Sequence, residues 1–325
     1  MIASLFTLPV LIWNSRHHWV SFRHVAHQTG ASSGAFSIGN VAEMLLGQFL
    51  AVGPTMAFLM IAAIAYAMRR KSSGSDPNRG KLQLLVWIGL PFFALNLLAS
   101  FRAKVQLNWP APAYFTLTIL TAYFLATRLQ RLETWKPWRG WFWASVMIGL
   151  IVIPVAHQSA ILYPILKPIA HLRSKTPEMD DYDPLSRARG WRELGRHVSD
   201  QLMILGPDSF VLCDDYQQTA ETAFYVDRQP KTYCAGPYFA DPKRLSQYDM
   251  WPDRRLDANP ALMGKNAVYV GKGGTLPKEI VNAFDRVEKL PLLAIQVQDE
   301  TVRTFKTWRC YGFKGLPKPA ALQTY

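Results

Sequence analysis

The sequence predicts a polytopic α-helical membrane domain followed by a soluble α/β domain. Two observations support this division. The 325-residue chain is 50% hydrophobic with a formal net charge of +13, yet its first 177 residues contain only three carboxylates, Glu43, Asp76 and Glu133. Beyond them, acidic and basic residues mix as in an ordinary soluble domain. We therefore expect a membrane domain at 1–165 and a soluble domain at 166–325.

Four apolar runs build the membrane domain. A helix needs about 20 apolar residues to cross roughly 30 Å of hydrocarbon, and four such runs as buried helices would need a very large soluble core. The runs that we predict to be membrane helices are Val41–Met68, Leu82–Ser100, Ala111–Thr127 and Trp141–Val155, the last continuing in apolar character to about Ile165.

Basic residues in alternate loops set the orientation. Residues 69–81 carry five basic residues and 127–140 carry four, each against a single acidic residue. Such loops face the cytoplasm by the positive-inside rule. The long loop 14–40 and the soluble domain then lie outside the cytoplasm. Arg102 and Lys104, between the second and third apolar runs, also fall on the outer side, against the usual bias.

The outer loop interleaves aromatic and basic side chains. On a helix, Trp19 and Arg23 share one face, which suits a helix at the level of the lipid headgroups. The four histidines of this loop have no acidic residue or cysteine nearby, so we favour the interfacial helix over a metal site. Before it, Met1–Trp13 is apolar but only about 20 Å long as a helix, and it lacks the features of a signal peptide. We interpret the chain as a fragment, or as one that starts at an internal Met.

The soluble domain alternates strands and helices, which favours a small layered sheet. The predicted strands are Phe210–Cys213, Thr232–Cys234 and Ala267–Val270, with a final hairpin of Leu290–Val297 and Thr301–Trp308; the predicted helices are Arg187–Leu205, Tyr216–Val226 and Pro277–Phe284.

Two features of the soluble domain have alternative interpretations. Asp214 and Asp215 follow a strand, where carboxylates can bind sugar hydroxyls or a metal, but they also cap a following helix well, and we favour capping. The sequence GKGG at 271–274 resembles a phosphate-binding turn without matching a known nucleotide motif, and we favour a plain turn.

The three cysteines of the chain all fall in the soluble domain, and their spacing fits no zinc site. The candidate disulfide is Cys234–Cys310, because each cysteine ends a predicted element and is followed two positions later by glycine; the alternative is three reduced, buried thiols. Oxidation is permitted outside the cytoplasm. Cys213 lies within an apolar strand, so we expect it to pack as a buried thiol.

Several stretches resemble one family of membrane enzymes. LPVLIWNSRHHWVSFRHV and KVQLNWPAPAYFTL, with DPLSRARGWREL, QYDMWP and WRCYGFKG in the soluble domain, are similar to the bacterial branch of the protein O-mannosyltransferase-like glycosyltransferases. This family, of the glycosyltransferase family 39 type, has the GT-C architecture and uses polyprenyl-phosphate sugar donors. Its members are longer and carry a catalytic acid in a first outer loop that no position here matches. The resemblance therefore implies an incomplete GT-C-like membrane domain.

The resemblance gives the outer cations a role. Sugar transfer from a lipid phosphate needs cations on the leaving phosphate and a base for the acceptor's proton. The base is unknown, with Glu43 as a candidate because it is at the outer start of a helix. The alternative for the cations is an aromatic belt with snorkelling basic side chains. The predicted donor-phosphate ligands are Arg102, Lys104, Asn108 and Arg23, and the residues predicted to contact the sugar or the interface are Trp19, Trp109 and Tyr114.

The sequence thus predicts a multi-pass glycosyltransferase of the bacterial inner membrane. Its expected partners are a polyprenyl-phosphate-linked sugar, the lipid bilayer, and an envelope glycan, lipid or protein as acceptor. No cofactor is indicated; a divalent metal is compatible with the chemistry without being indicated. Nucleic acid is not expected, because the basic residues cluster at membrane boundaries. The alternative function is a non-catalytic membrane-anchored protein that binds a glycan or a partner. A transporter is disfavoured because the apolar runs contain few polar residues.

Overall fold

The computed structural model describes residues 5–29, 35–70, 77–130, 132–173, 182–183, 185–241, 246–257, 259–272 and 275–317. It separates into two compact units, which we call the helical unit (Met1–Ala156) and the α/β unit (His157–Tyr325). The domain boundary expected after residue 165 stays a prediction.

Helices account for most of the helical unit. Its described part contains α1 (Leu8–Arg16), α2 (Val20–Gln28), α3 (Ile38–Val52), α4 (Pro54–Arg69), α5 (Arg79–Ser100), α6 (Ala111–Leu129) and α7 (Leu132–His157). Proline lies inside α5 at Pro91 and inside α7 at Pro137 and Pro154. Each of these prolines removes a backbone donor from its helix.

Two described helices are long and apolar enough to cross a membrane, namely α5 and the stretch Glu133–His157 of α7. No residue in the most apolar window of α7 is buried within the protein, and lipid can cover such a surface. The pair α3 and α4 passes the same test together and would make a third span. Within the described residues, two helices therefore meet the requirements for a span, or three spans if the bent pair counts as one, and the fourth expected span stays a prediction. Residues Ala111–Thr127 do form α6, but α6 is not among the described helices that pass.

The first expected membrane helix is broken in the middle. Helices α3 and α4 are bent by 98° relative to each other. Gly53, between them, has a φ of 88°, a conformation that glycine adopts without steric cost, and Pro54 begins α4 without an N–H to donate. The prediction of one helix over Val41–Met68 is therefore wrong, because a Gly-Pro break does not interrupt the apolar composition.

Helices α4, α5 and α6 pack around a small core. Ala63, Leu120 and Phe124 are almost completely buried there. At Gly89 of α5, a Cβ atom would come within 2.9 Å of the Ala113 carbonyl oxygen of α6. The two helices approach each other this closely because residue 89 has no side chain. The loop between α5 and α6 therefore connects two closely packed helices.

A six-stranded mixed sheet forms the centre of the α/β unit. Its strands are β1 (Phe210–Cys213), β2 (Thr232–Cys234), β3 (Ala267–Gly271), β4 (Phe284–Lys289), β5 (Leu293–Val297) and β6 (Glu300–Phe313). The described helices are α8 (Tyr163–Arg173), α9 (Trp191–Leu205), α10 (Tyr216–Tyr225), α11 (Gln247–Met250) and α12 (Lys278–Asn282). The strand order is β2-β1-β3-β6-β4, and β5 pairs with β6. Strand β1 is parallel to β2 and β3, whereas β6 is antiparallel to β3, β4 and β5.

The sheet buries apolar side chains on both faces. Along β1, Phe210 and Leu212 belong to one hydrophobic core, and Val211 and Cys213 belong to the other. Successive side chains of a strand point to opposite faces, so a strand buried on both faces reads as a continuous apolar run. Tyr163, at the start of α8, is buried in the second core. Tyr163, within the apolar stretch that continues past α7, therefore contributes to the core of the α/β unit.

Most of the predicted elements of the soluble domain are confirmed. Strands β1 and β2 have the predicted bounds, and β5 and β6 form the predicted hairpin, with Gln298 and Asp299 at positive φ in its turn. The helix predicted over Pro277–Phe284 is shorter, because Phe284 already begins β4. Strand β4 was not predicted. Most side chains of its sequence, FDRVEK, are exposed and charged. The alternation of apolar and polar residues that would predict an edge strand is therefore not visible in the sequence.

The predicted disulfide is wrong. Cys213, Cys234 and Cys310 are all free, buried thiols. Cys234 lies in β2 and Cys310 in β6, with β1 and β3 between them. Neighbouring strands are about 4.8 Å apart, so the two cysteines are at least about 14 Å apart, whereas a disulfide needs Cα atoms within about 7 Å. Cys213 is the buried thiol that we expected. Burial raises the pKa of Cys234 and Cys310 to about 12.

Candidate functional site

The loop at 101–110, between α5 and α6, is fastened to the beginning of α3. The Ser37 amide donates a hydrogen bond to the Phe101 carbonyl at 2.8 Å. Farther along, the side-chain amide of Gln48 donates to the Leu107 carbonyl at 2.9 Å. Two points of attachment therefore hold the 101–110 loop along α3, from its N-cap residue Ser37 to Gln48.

Three of the predicted donor ligands lie on this loop. Arg102, Lys104 and Asn108 are all exposed. The Lys104 ammonium lies 2.5 Å from the Glu43 carboxylate (Nζ to Oε1), so the loop cation and the candidate base form an ion pair. Among the described residues, the Arg102 guanidinium has no hydrogen-bond or ion-pair partner. Its N–H donors can therefore bind a ligand.

A buried amide links the loop to Tyr114. The Tyr114 hydroxyl donates to Gln48 Oε1 at 2.7 Å, while the Gln48 amide nitrogen donates to Leu107. Gln48 is 4% exposed, and a buried amide that is satisfied at both ends fixes the groups it joins. The Tyr114 side chain therefore points at Gln48. Trp109, at the end of the loop, is half-buried.

An apolar groove of about 290 Å³ opens beside Gln48 and Tyr114. These two residues are the polar part of its lining. A groove of this composition can hold a hydrocarbon chain whose polar end lies near the amide. The apolar lining residues come from α3, α4, α5 and α6 and are Leu45, Phe49, Val52, Ala57, Met60, Ile61, Ile64, Leu90, Phe93 and Leu117.

The remaining predicted ligands of the outer loop lie apart from these contacts. Trp19 precedes α2 with a φ of 58°, and its ring packs edge-on against Phe22 with centroids 5.4 Å apart. Arg23 is exposed on α2. Within the described structure, no hydrogen bond, ion pair or ring contact joins Trp19 or Arg23 to the 101–110 loop. A search of the described residues finds no group of three or more His, Cys, Asp or Glu side chains that could hold a metal.

Carboxylates in the α/β unit have structural partners. Asp215 caps α10 by accepting a hydrogen bond from the Gln218 amide at 2.9 Å, which confirms the capping prediction. Asp214 accepts from the Tyr269 hydroxyl and from the Lys272 amide. The proposed turn at 271–274 lies partly outside the described residues, because Gly273 and Gly274 are not among them.

Asp183 is a buried centre that sequence reasoning missed. It accepts hydrogen bonds from Ser159, from the Tyr163 hydroxyl at 2.7 Å and from the Leu185 amide, and it pairs with Arg189 at 2.9 Å. Burial alone would raise the pKa of Asp183, but these donors hold that pKa below its usual value. The residues lie up to 30 positions apart, as for Ser159 and Arg189, so no local pattern connects them.

Comparisons with known proteins place the chain near glycosyltransferases. No family model matches it, and no solved structure matches it. It is 30% identical over 124 residues to the lipid A galacturonosyltransferase RgtD of Rhizobium johnstonii. The aligned part covers 38% of this chain and 25% of that relative, so the chain matches a quarter of the relative's length. The similarity supports a glycosyltransferase relationship in general and does not single out the O-mannosyltransferase family.

Proposed function

We propose that this chain forms the donor-binding part of a membrane glycosyltransferase. The donor is a polyprenyl-phosphate-linked sugar, and the sugar passes to an envelope acceptor on the outer face of the bacterial inner membrane. The relative's name gives lipid A as its acceptor, which favours an envelope lipid over a glycan or a protein.

The observation that carries the proposal is the junction at Gln48. Gln48 lines the apolar groove, and its side-chain amide also bonds the 101–110 loop, which carries the exposed cations. A polyprenyl phosphate has the same division into a hydrocarbon chain and an anionic head. The groove takes the first isoprene units while Arg102 and Lys104 bind the phosphate.

The cations would act on the leaving group. When the bond from the sugar to the phosphate oxygen breaks, negative charge develops on the phosphate, and fixed positive groups stabilise that charge. The Arg102 guanidinium matches two phosphate oxygens at once, whereas Lys104 supplies a point charge. Asn108 can donate to a phosphate oxygen or to a sugar hydroxyl.

The base is the less defined part of the site. Glu43 is within reach of the loop, and binding of a phosphate by Lys104 would release the Glu43 carboxylate to accept the acceptor's proton. The second candidate function, a non-catalytic membrane-anchored protein that binds a glycan or a partner, is favoured by the same ion pair, because a paired carboxylate is a poor base. The variant Glu43→Gln separates the two. If Glu43 is the base, sugar transfer is lost while donor binding remains.

Equilibrium binding tests the proposal without requiring turnover. The chain in lipid nanodiscs is titrated with a short polyprenyl monophosphate and, separately, with the corresponding polyprenol. We expect the double variant Arg102→Gln, Lys104→Gln to weaken phosphate-ligand binding by at least about tenfold, since it removes two charge-assisted contacts. Polyprenol binding should be unchanged. Lys136→Gln, an exposed cation on the 127–140 segment, is the matched control. Equal affinity of the double variant and the control for the phosphate ligand would refute the donor site.

A further inference from the structure

A second cavity, of about 390 Å³, lies at the other end of the helical unit. The 101–110 loop follows the last residue of α5, whereas this cavity is near the first, where Arg79 Nε donates to the Arg70 carbonyl at 3.0 Å. It is bounded by the C-terminal ends of α4 and α6 and by α7. Its lining includes Tyr66, Arg69, Arg70, Phe124, Arg128 and Trp138.

Aromatic rings hold two of these arginines in place. Arg70 donates to the Tyr66 hydroxyl at 2.7 Å, and its guanidinium carbon lies 5.1 Å from the centre of the Tyr66 ring. The guanidinium carbon of Arg128 lies 5.1 Å from the centres of both the Tyr66 and the Phe124 rings. Cation–π contacts of this kind fix the direction of a planar guanidinium.

The described lining of this cavity carries more positive than negative charge. Because both guanidinium carbons lie 5.1 Å from the same ring centre, Arg70 and Arg128 are no more than about 10 Å apart, and like charges at that distance repel strongly where water is scarce. No carboxylate is among the described lining residues. The Nε atom of Arg128 is buried and has no hydrogen-bond partner. A buried donor without an acceptor is costly, so the site is suited to an anion.

Two general effects explain only part of this arrangement. Cations are favourable near helix C-termini, and basic loops set membrane topology. Both effects operate with solvated side chains at the surface. Neither accounts for a cavity between the helices, nor for an arginine whose Nε is buried without an acceptor.

We propose that this cavity binds the phosphate group of an anionic ligand, either a phospholipid headgroup or free phosphate. Guanidinium groups match the oxygens of a phosphate, and basic pockets between membrane helices bind anionic lipid headgroups. Arg69, which is exposed at the end of α4, supplies a third cation. This site uses none of the residues of the proposed donor site, so it is independent of the proposed function.

Lipid and phosphate titrations distinguish the two sources. The full chain in detergent is titrated with phosphatidylglycerol, phosphatidylcholine or inorganic phosphate, and binding is followed by native mass spectrometry. We expect phosphatidylglycerol to bind in preference to phosphatidylcholine, and the double variant Arg70→Gln, Arg128→Gln to weaken it by at least about tenfold. Lys81→Gln is the matched control, because Lys81 is an exposed cation at the same end of the unit and does not line the cavity.

Each outcome bears on the site. Competition by inorganic phosphate at millimolar concentration would support the site and identify free phosphate as a source, whereas its absence would identify the lipid. Replacing Arg128 by lysine (Arg128→Lys) instead of glutamine should retain part of the phosphatidylglycerol affinity, because lysine keeps the positive charge but lacks the planar guanidinium group. If the double variant fails to fold, photoactivatable phosphatidylglycerol on the wild-type chain should label the C-terminal ends of α4 and α6. Labelling elsewhere, or equal losses in the Lys81 control, would overturn the proposal.

Discussion

The Lys104 ammonium lies 2.5 Å from the Glu43 carboxylate, across the gap between the 101–110 loop and α3. Both side chains are more than half exposed, at 67% and 56%, and exposed ion pairs contribute about 0–1 kcal/mol to stability. The buried Gln48 holds the loop more firmly than this pair does. Lys104 can therefore exchange Glu43 for a ligand phosphate at little cost to the fold.

The first prediction compares these two attachments. Lys104→Gln should change the free energy of unfolding by less than about 1 kcal/mol. Gln48→Leu should lower it by about 1–3 kcal/mol, because the Leu107 carbonyl and the Tyr114 hydroxyl lose their buried partner. Unfolding titrations in mixed micelles measure both changes. Asn96→Leu is the control, since Asn96 is only half-buried and its side chain is bonded only to its own helix. Equal effects of Gln48→Leu and Asn96→Leu would contradict the bridge.

The second prediction concerns the bend between α3 and α4. Gly53→Ala should destabilise the helical unit by about 1 kcal/mol or more, because alanine adopts a φ of 88° only with strain. The nearest side-chain atom, of Ile148, would be 4.0 Å from the new Cβ, so a clash is not the cause. Gly149→Ala, in a helix with open space around it, should be neutral or stabilising. The same unfolding titrations apply, and a stabilising Gly53→Ala would argue against the bend.

The third prediction concerns Asp183 and pH. The pKa of Asp183 is lower in the folded chain than in the unfolded one. Its stabilising contribution is therefore complete above the unfolded pKa of about 4 and is lost as pH falls through the folded pKa. Asp183→Asn should remove about 3 kcal/mol at neutral pH, because Arg189 is left without its partner, and it should flatten the acid dependence.

Thiol accessibility reports on this unfolding. All three cysteines are buried in the α/β unit, so their reaction with a dithiodipyridine, which proceeds at acid pH, measures opening of that unit. Labelling should accelerate below about pH 4 in the wild type. It should be fast at neutral pH in Asp183→Asn. The control Asp208→Asn replaces a carboxylate that is 90% exposed and should behave as the wild type. A wild-type rate for Asp183→Asn would show that the cluster contributes nothing.

The fourth prediction is the redox state. We expect the chain isolated under oxidising conditions to carry three free thiols by mass spectrometry, since the strand order keeps Cys234 and Cys310 apart. A reductant should leave the unfolding temperature unchanged. A Cys234–Cys310 disulfide, identified by peptide mapping and reversed by reductant, would contradict the strand order β2-β1-β3-β6.

Sequence patterns identified short, local features well. Strand β1 and helix α10 were recognised because apolar residues and the Asp215 cap are adjacent in the chain. The bend at Gly53 was missed because hydropathy is averaged over a window of many residues, whereas only Gly53 and Pro54 produce the break. The Gln48 amide and the Leu107 carbonyl are 59 positions apart, and no periodicity connects such pairs. The loop cations were expected from composition, whereas the contact of their loop with Gln48, which lines the groove, follows only from the packing of the helices.

Photo-crosslinking tests the central claim most directly. A polyprenyl monophosphate with a diazirine in its first isoprene units is irradiated with the chain in nanodiscs, and labelled peptides are identified by mass spectrometry. The donor site predicts labels on Leu45–Val52 and near Leu90 and Leu117, and predicts that Arg102→Gln with Lys104→Gln reduces them by at least about tenfold at ligand concentrations below saturation. Labels confined to the exposed faces of α5 and α7, or labels that persist in the double variant, would contradict it.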